Sequence, residues 1–336
     1  MDRPSETGIG SQQTPGSPAT EGAAAAVACE EPEPLTVGYV SESYGYLPLY
    51  LALDEGYFDE RDVVVEPLSL PSSSRTTAAL LGGSVDIALS SPAQTILAQT
   101  GGEDVQMVGG LVNAAMYTLV GQPEVQTMAD LTGERVGVAG SATGDVLMLQ
   151  DMLAAEGIDP QDQNIAFVQV GGTPDRLAAL QSNSIAAGML LSPHNYSAVN
   201  EGLSPVANAY DYVEDFQFTA INTYGDRTAC KDEAIVRMIA GLSDAVRAIH
   251  EDPEVAHGVA MERLEVSREL AEAAYDDYIG AEAFPEDLSY NEAGIQVVVD
   301  QLVGAGTLTE ADVPDMSQYT TDELYLEAAQ RSTQAS

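Results

Sequence analysis

A loop of small residues separates a short apolar segment from a helical pattern near the middle of the chain, in the stretch AGSATGDVLMLQDML. Residues 135–139 are predicted to form a strand, and apolar side chains recur at helical spacing from Val146 to Leu153. A helix that begins at such a loop presents unpaired backbone N–H groups and the positive end of its dipole, and small side chains let a ligand approach them closely. The loop is therefore predicted to hold an anion or a polar head group, with an ordinary strand-to-helix turn as the alternative.

Hydroxyl and aromatic side chains follow other predicted strands in the same way. These strands are predicted at residues 35–40, 63–68, 84–89 and 185–191, and ligands of such folds bind beyond the carboxyl ends of the strands. The predicted ligand-binding residues are Ser41, Tyr44, Tyr46, Ser72, Ser73, Ser90, Ser91, Asn113, Tyr117, Ser141, Ala142, Thr143, Gly144, Ser192 and His194. The serines and tyrosines also have a simpler explanation, as helix caps or as cover for a helix end. Arg75 either pairs with an anionic ligand or neutralises nearby carboxylates.

The sequence carries few signatures of an enzyme. The stretch AGSAT does not fit the pattern of a serine nucleophile, and no lysine stands where a phosphate-binding loop requires one. The histidines, His194, His250 and His257, do not show the spacing of zinc ligands. We therefore expect no catalytic residues, no bound metal and no cofactor.

The charge of the chain limits its partners. The formal net charge is −41, from 53 acidic and 12 basic residues, and Lys231 is the only lysine. Nucleic acid and anionic lipid are excluded as partners, since both repel such a chain and require a basic surface. The acidity predicts either a halophilic protein, whose self-repulsion is screened by salt, or an acidic surface that serves solubility. No segment reaches the roughly 18 apolar residues that a membrane-spanning helix requires.

Residues 1–34 form a separate tract rich in Gly, Ser, Thr, Pro and Ala, which predicts a disordered linker. The tract lacks the basic segment and long apolar core of a secretory signal. Its AVAC sequence, ending at Cys29, resembles the lipidation motif of bacterial lipoproteins, with Ala where Leu is usual. Cys29 is either a lipid anchor or an ordinary linker cysteine.

Strands and helices alternate from Leu35 onward, which predicts an α/β fold with mainly parallel sheets covered by helices. One helix is predicted at residues 46–58. The alternation of strands and helices begins again after Gly121. The stretches 76–92 and 176–193 each predict a helix, a turn, a buried strand, Ser-Pro and another helix. Two similar α/β units that face each other form a cleft between them.

Four sequence blocks carry a resemblance to a known family. They are PLYLALDEGYFDERDVVVEPL, AALLGGSVDIALSSP, DLTGERVGVAGSATGDVLMLQDMLAAEGID and LAALQSNSIAAGMLLSPHNYSAVNEG, and a helical IVRMIAGLSDAVRAIHEDPEVA follows them. In this order and spacing the chain resembles type II periplasmic solute-binding proteins of the nitrate, taurine, aliphatic sulphonate and thiamine-precursor group, which deliver solutes to ABC importers.

The resemblance implies a periplasmic-binding-protein type II fold, with two α/β lobes that close on a ligand by hinge motion. Residues 35–120 with 220–336 form lobe 1 and the C-terminal helices, and residues 121–219 form lobe 2. The implied protein is an extracytoplasmic monomer that captures a small organic or anionic solute, such as a sulphonate, nitrate, taurine or a pyrimidine precursor of thiamine. Its partner is an ABC permease. The alternatives are a thiamine-pyrimidine synthase, whose clustered cysteines are missing here, and a ligand sensor of the same fold.

Overall fold

The computed structural model describes residues 33–40, 42–140 and 143–334. These residues form two five-stranded sheets. The first sheet contains, in spatial order, β2 (Val65–Leu70), β1 (Leu35–Val40), β3 (Ile87–Ser90), β10 (Thr219–Tyr224) and β4 (Val105–Val112). The second sheet contains, in spatial order, β7 (Ala166–Gln169), β6 (Arg135–Val138), β8 (Ala187–Leu190), β5 (Thr118–Gly121) and β9 (Ser204–Asn208).

The two sheets share one topology. In the first, β1 is parallel to β2 and β3, and β10 is antiparallel to β3 and β4. In the second, β6 is parallel to β7 and β8, and β5 is antiparallel to β8 and β9. The repeat seen in the sequence therefore corresponds to two similar α/β lobes. Each sheet is mixed because one strand, β10 in the first sheet and β5 in the second, pairs antiparallel with its neighbours.

The helices cover both sheets and continue into a C-terminal group. Those of the first half are α1 (Leu47–Asp54), α2 (Tyr57–Glu60), α3 (Ser73–Leu81) and α4 (Pro92–Thr100). Those of the second lobe are α5 (Gly144–Ala155), α6 (Thr173–Gln181) and α7 (His194–Asn200). The C-terminal group comprises α8 (Ala229–Glu251), α9 (Pro253–Arg263), α10 (Arg268–Gly280), α11 (Glu292–Gly304), α12 (Met316–Tyr319) and α13 (Glu323–Gln334). Short 3-10 turns lie at Tyr44–Tyr46, Met128–Leu131 and Ala209–Asp211.

The helix predicted at residues 46–58 is two helices. Gly56, which precedes α2, has a φ of 81°, in the left-handed region that glycine tolerates and that ends helices. The first helix therefore ends at Asp54, and a second helix begins at Tyr57. Pro48 lies in the first turn of α1, where its missing N–H costs no hydrogen bond.

The lobes are connected by two crossover segments. The first, residues 113–117, joins β4 to β5, and the second, residues 209–218, joins β9 to β10. All of β5 is buried in the second sheet, so that sheet begins at Thr118, three residues before the predicted boundary at residue 121. The boundary depends on strand pairing, which a local sequence pattern does not contain.

Helix α11 lies between the two lobes. Its side chains Ile295, Val298 and Leu302 belong to the same buried apolar cluster as Ile96 of α4 and Leu149 of α5. Both lobes therefore bury apolar surface against one helix from the C-terminal group. None of the described helices combines the length and the apolar composition needed to cross a bilayer.

Candidate ligand-binding cleft

A cavity of about 60 Å³ lies between the lobes and is lined by residues from both. The predicted site residues that line it are Tyr46, Ser72, Ser73, Ser91, Tyr117, Thr143 and Gly144. Pockets that hold small organic ligands typically have volumes of roughly 300–1,000 Å³. The cavity is smaller than that, and its lining residues come from both lobes.

Direct contacts join the lobes beside the cavity. The backbone N–H of Tyr44 donates to the carbonyl of Ser192 at 3.1 Å, and the hydroxyl of Tyr196 on α7 donates to Asp277 on α10. Leu191, which follows β8, packs within the apolar cluster centred on the first lobe. These contacts hold the two lobes against each other.

The floor of the cavity contains a buried ion pair that the sequence analysis did not predict. Arg176 Nη1 lies 3.1 Å from Asp145 Oδ2, and the two side chains are 1% and 0% exposed. Arg176 Nη1 also donates to the carbonyl of Gly171 at 2.9 Å, and Nη2 donates to Thr173 Oγ1 at 3.2 Å. Arg176 Nε is buried and has no hydrogen-bond partner among the described residues.

Asp145 occupies the first turn of α5, where the helix dipole favours a negative charge. Its Oδ2 accepts the backbone N–H of Ala139 at 2.6 Å, and its Oδ1 accepts the hydroxyl of Thr143. The small-residue loop thus binds a carboxylate of the chain itself. Ser141 and Ala142 of this loop lie outside the described residues.

Aromatic rings form another part of the wall. The ring centroids of Tyr117 and Phe218 lie 5.2 Å apart, and the guanidinium carbon of Arg176 lies 5.5 Å from the Tyr117 centroid. Burial and the nearby negative charge of Asp145 raise the pKa of Tyr117 to about 12. Tyr117 therefore stays protonated and its hydroxyl remains uncharged at physiological pH. The hydroxyl of Tyr46 donates to the carbonyl of Leu89 at 3.4 Å.

The serines of the first lobe have structural hydrogen bonds as well as a place at the cavity. Ser72 Oγ accepts the N–H of Arg75 at 3.3 Å and caps α3. Ser73 Oγ accepts the N–H of Ser91 at 3.3 Å. The capping explanation of Ser72 is thus observed, and it coexists with exposure to the cavity. Arg75 does not line the cavity.

Five predicted site residues do not line the cavity: Tyr44, Ser90, Asn113, Ser192 and His194. Tyr44 packs against Tyr278 with ring centroids 5.1 Å apart, and Ser192 contributes its carbonyl to the contact between lobes. Ser90 Oγ bonds to Thr77 and Asn222 beneath the cavity. These side chains follow strand ends as predicted, but they point into the protein.

The remaining two residues of this set are Asn113 and His194. Asn113 ties the first crossover to the C-terminal region through a 2.9 Å hydrogen bond from Nδ2 to the carbonyl of Ser289. Burial and the positive charge of Arg176 lower the pKa of His194, so its imidazole is neutral at physiological pH. Ser41 lies outside the described residues.

A helical pattern in the sequence could have pointed to Arg176. On α6, Thr173, Arg176 and Leu180 are all buried, and their spacing of three and four residues places them on one helix face. An arginine on the buried face of a helix carries a charge that requires a partner. Its partner Asp145 is 31 positions away in the chain, and no local pattern connects the two.

Comparisons with solved structures identify the fold. The periplasmic nitrate-binding protein NrtA from Synechocystis PCC 6803 superposes with a TM-score of 0.74 at 16% identity, and the match covers 90% of each chain. The alkanesulfonate-binding protein SsuA from Xanthomonas axonopodis pv. citri, bound to MOPS, gives a TM-score of 0.71 at 18% identity, with 88% of this chain and 100% of that chain covered. The chain therefore has the fold of periplasmic binding proteins.

Sequence comparisons identify two relatives of different kinds. A Brucella abortus protein that is named as a binding protein is 23% identical over 246 residues, which cover 72% of this chain and 75% of the relative. The 4-amino-5-hydroxymethyl-2-methylpyrimidine phosphate synthase of Schizosaccharomyces pombe is 29% identical over 140 residues, which cover 39% of this chain and 40% of the enzyme. The family model for NMT1/THI5-like proteins matches residues 44–256. Since this match spans more than half of the chain, both lobes included, the chain belongs to the NMT1/THI5-like family.

Proposed function

We propose that this protein is the extracytoplasmic solute-binding component of an ABC importer. The observation that carries the proposal is the cavity between two lobes that are connected by two crossovers, with lining residues from both lobes. Such a cleft admits a solute when the lobes separate and encloses it when they close. The permease then distinguishes the closed, loaded form from the open one.

The relatives support this proposal. NrtA is named as a periplasmic nitrate-binding protein, SsuA is named as an alkanesulfonate-binding protein, and the Brucella relative is named as a binding protein. We propose the same location outside the cytoplasm for this chain, and action as a monomer because one chain supplies both walls of the cavity.

An enzymatic function is the second candidate, because the chain partly matches the fission-yeast pyrimidine phosphate synthase. The described cavity lining argues against it. Its charged side chains, Asp145 and Arg176, bond to each other, and neither is free to act as a base or a nucleophile. A purified enzyme would consume its substrate, whereas a binding protein returns its solute unchanged.

The test uses the small molecules that remain bound through gentle purification. Mass spectrometry identifies a released solute, and the loaded protein is then added to membrane vesicles that contain the cognate permease. We expect the loaded protein to stimulate ATP hydrolysis and the solute to be recovered chemically intact. Conversion of the solute by the purified protein would support the enzyme, and loaded protein without effect on the permease would support a sensor.

A further inference from the structure

The described lining of the cavity is electrically balanced. Its charged side chains are Asp145 and Arg176, which form one ion pair 3.1 Å apart. The remaining polar side chains of this lining are hydroxyls of serine, threonine and tyrosine. A bound anion would therefore add an unbalanced charge to a site between the lobes, and burial of an unbalanced charge is costly.

One helix N-terminus beside the cavity, that of α5, already holds an anionic group. A helix N-terminus and a backbone N–H favour negative charge, and at α5 both serve the Asp145 carboxylate, which accepts the N–H of Ala139. An anionic ligand at this wall would also lie close to the Asp145 carboxylate, and like charges at short distance in a site of low dielectric repel strongly. At long range, the formal net charge of −41 slows the approach of anions.

Arg176 provides the complementary observation. Its terminal nitrogens bond to Asp145, Gly171 and Thr173, yet its Nε is buried without a partner among the described residues. A buried donor without an acceptor is destabilising and rare. Since Arg176 lines the cavity, a ligand can supply that acceptor with one carbonyl oxygen or one ring nitrogen.

We propose that the cleft selects an uncharged small organic solute that offers a hydrogen-bond acceptor to Arg176 Nε, and that Asp145 excludes anions such as nitrate and sulphonates. The aromatic rings of Tyr46, Tyr117 and Phe218 cover the apolar part of this solute. The inference rests on the proposed function, because it specifies the ligand class of the same cleft.

Matched pairs of probes test the wild-type protein, because their members differ chiefly in charge. One pair is 4-amino-5-hydroxymethyl-2-methylpyrimidine and its phosphate ester, and the other is ethanesulphonamide and ethanesulphonate, with nitrate added as a third anion. Binding is measured by calorimetry at constant ionic strength. The same protein is also titrated with a small-molecule extract of the source cells, split by ion exchange into anionic, cationic or zwitterionic, and uncharged fractions.

We expect the uncharged fraction alone to raise the melting temperature, and no anionic probe to bind more tightly than its uncharged counterpart. Stabilisation by the anionic or the cationic or zwitterionic fraction, or preference for an anionic probe, would overturn the inference while leaving a solute-binding protein. If no fraction stabilises the protein, the proposed function fails and the inference fails with it.

A substitution tests the role of Asp145. Asp145→Asn leaves the Arg176 charge uncompensated, so we expect nitrate and ethanesulphonate to bind about 10- to 100-fold more tightly than they bind the wild type, the ratio expected for one hydrogen bond to a charged group. Asp151→Asn is the matched control, because it makes the same change on the same helix at a residue outside the cavity lining. Equal anion affinity in both variants would overturn the assignment. If Asp145→Asn fails to fold, the wild-type measurements still decide.

Discussion

At the residue scale, the ion pair of Asp145 and Arg176 supplies the charged side chains of the described cavity lining. Both side chains are fully buried, and together they bond to Ala139, Thr143, Gly171 and Thr173. The pair thereby fixes the loop before α5 and the loop before α6 relative to each other. Since each charge depends on the other for compensation, neither can be replaced alone without cost.

We expect Arg176→Gln to lower the free energy of unfolding by roughly 3–5 kcal/mol, because it leaves a buried carboxylate without its counter-charge. The double variant Asp145→Asn with Arg176→Gln should recover part of this loss. Urea unfolding of the wild type, both single variants and the double variant measures the coupling. If the single-variant losses add up in the double variant, the two side chains do not stabilise each other.

Cys29 is predicted to be either a lipid anchor, whose sulfur carries a lipid thioether, or an ordinary linker cysteine. Cys230, at the start of α8, is disulfide-bonded in the structure, and Cys29, the other cysteine of the chain, lies outside the described residues. Lipid anchoring predicts a diacylated Cys29. Intact-mass analysis of the protein checks this. A chain that carries no acyl groups and is lighter than the reduced chain by two hydrogens, as a disulfide requires, would contradict anchoring.

At the element scale, the contact between α7 and α10 links the lobes through Tyr196 and Asp277. Burial raises the pKa of Asp277 despite the opposing effect of the Tyr196 hydroxyl. A carboxyl whose pKa is raised in the folded state adds stability that is complete below its unfolded pKa of about 3.8 and is lost as the pH rises through the folded value.

We therefore expect the Asp277 contribution to the free energy of unfolding to fall as the pH rises from just below 3.8 through the raised pKa. Asp277→Asn should remove this part of the pH dependence. Unfolding at a series of pH values checks it, with Glu269→Gln as control because Glu269 is an exposed carboxylate on the same helix. An unchanged profile in Asp277→Asn would show that the carboxyl is not perturbed.

The order of strands and helices could be predicted from the sequence because apolar runs and Ser-Pro or glycine punctuation are local signals. Of the predicted site, Tyr46, Ser91 and Thr143 follow strands and do line the cavity. The pairing of Asp145 with Arg176 and the side-chain direction of Ser90 depend on how distant segments pack. The position of β5 in the second sheet could not be predicted either, because β5 pairs with β8, a strand that is distant in the chain.

At the scale of the whole molecule, the acidity of the chain dominates. The 12 basic residues cannot offset the charge of 53 acidic ones, even where they form ion pairs. The compact state therefore repels itself at low salt. We propose that this acidity is a halophilic adaptation. The opposite view, that it serves solubility alone, predicts little dependence of stability on salt.

The melting temperature should rise steadily between low and molar KCl, because the Debye length shrinks from about 30 Å at 0.01 M to about 3 Å at 1 M and screens the repulsion. Differential scanning calorimetry checks this. A parallel series in sucrose separates charge screening from general exclusion of solutes, which also stabilises proteins. A flat KCl profile would contradict the halophilic proposal.

The central claim is that a solute binds in the cavity beside α5. Gly144 lines this cavity, and a Cβ atom added there would meet no atom of the described residues within 4 Å. The same holds for Gly258 on α9, which does not line the cavity. The decisive measurement is native mass spectrometry of gently purified wild type, Gly144→Leu and Gly258→Leu. We expect wild type and Gly258→Leu to carry a releasable small molecule that Gly144→Leu lacks, whereas equal retention in all three proteins would contradict the assignment of the cleft.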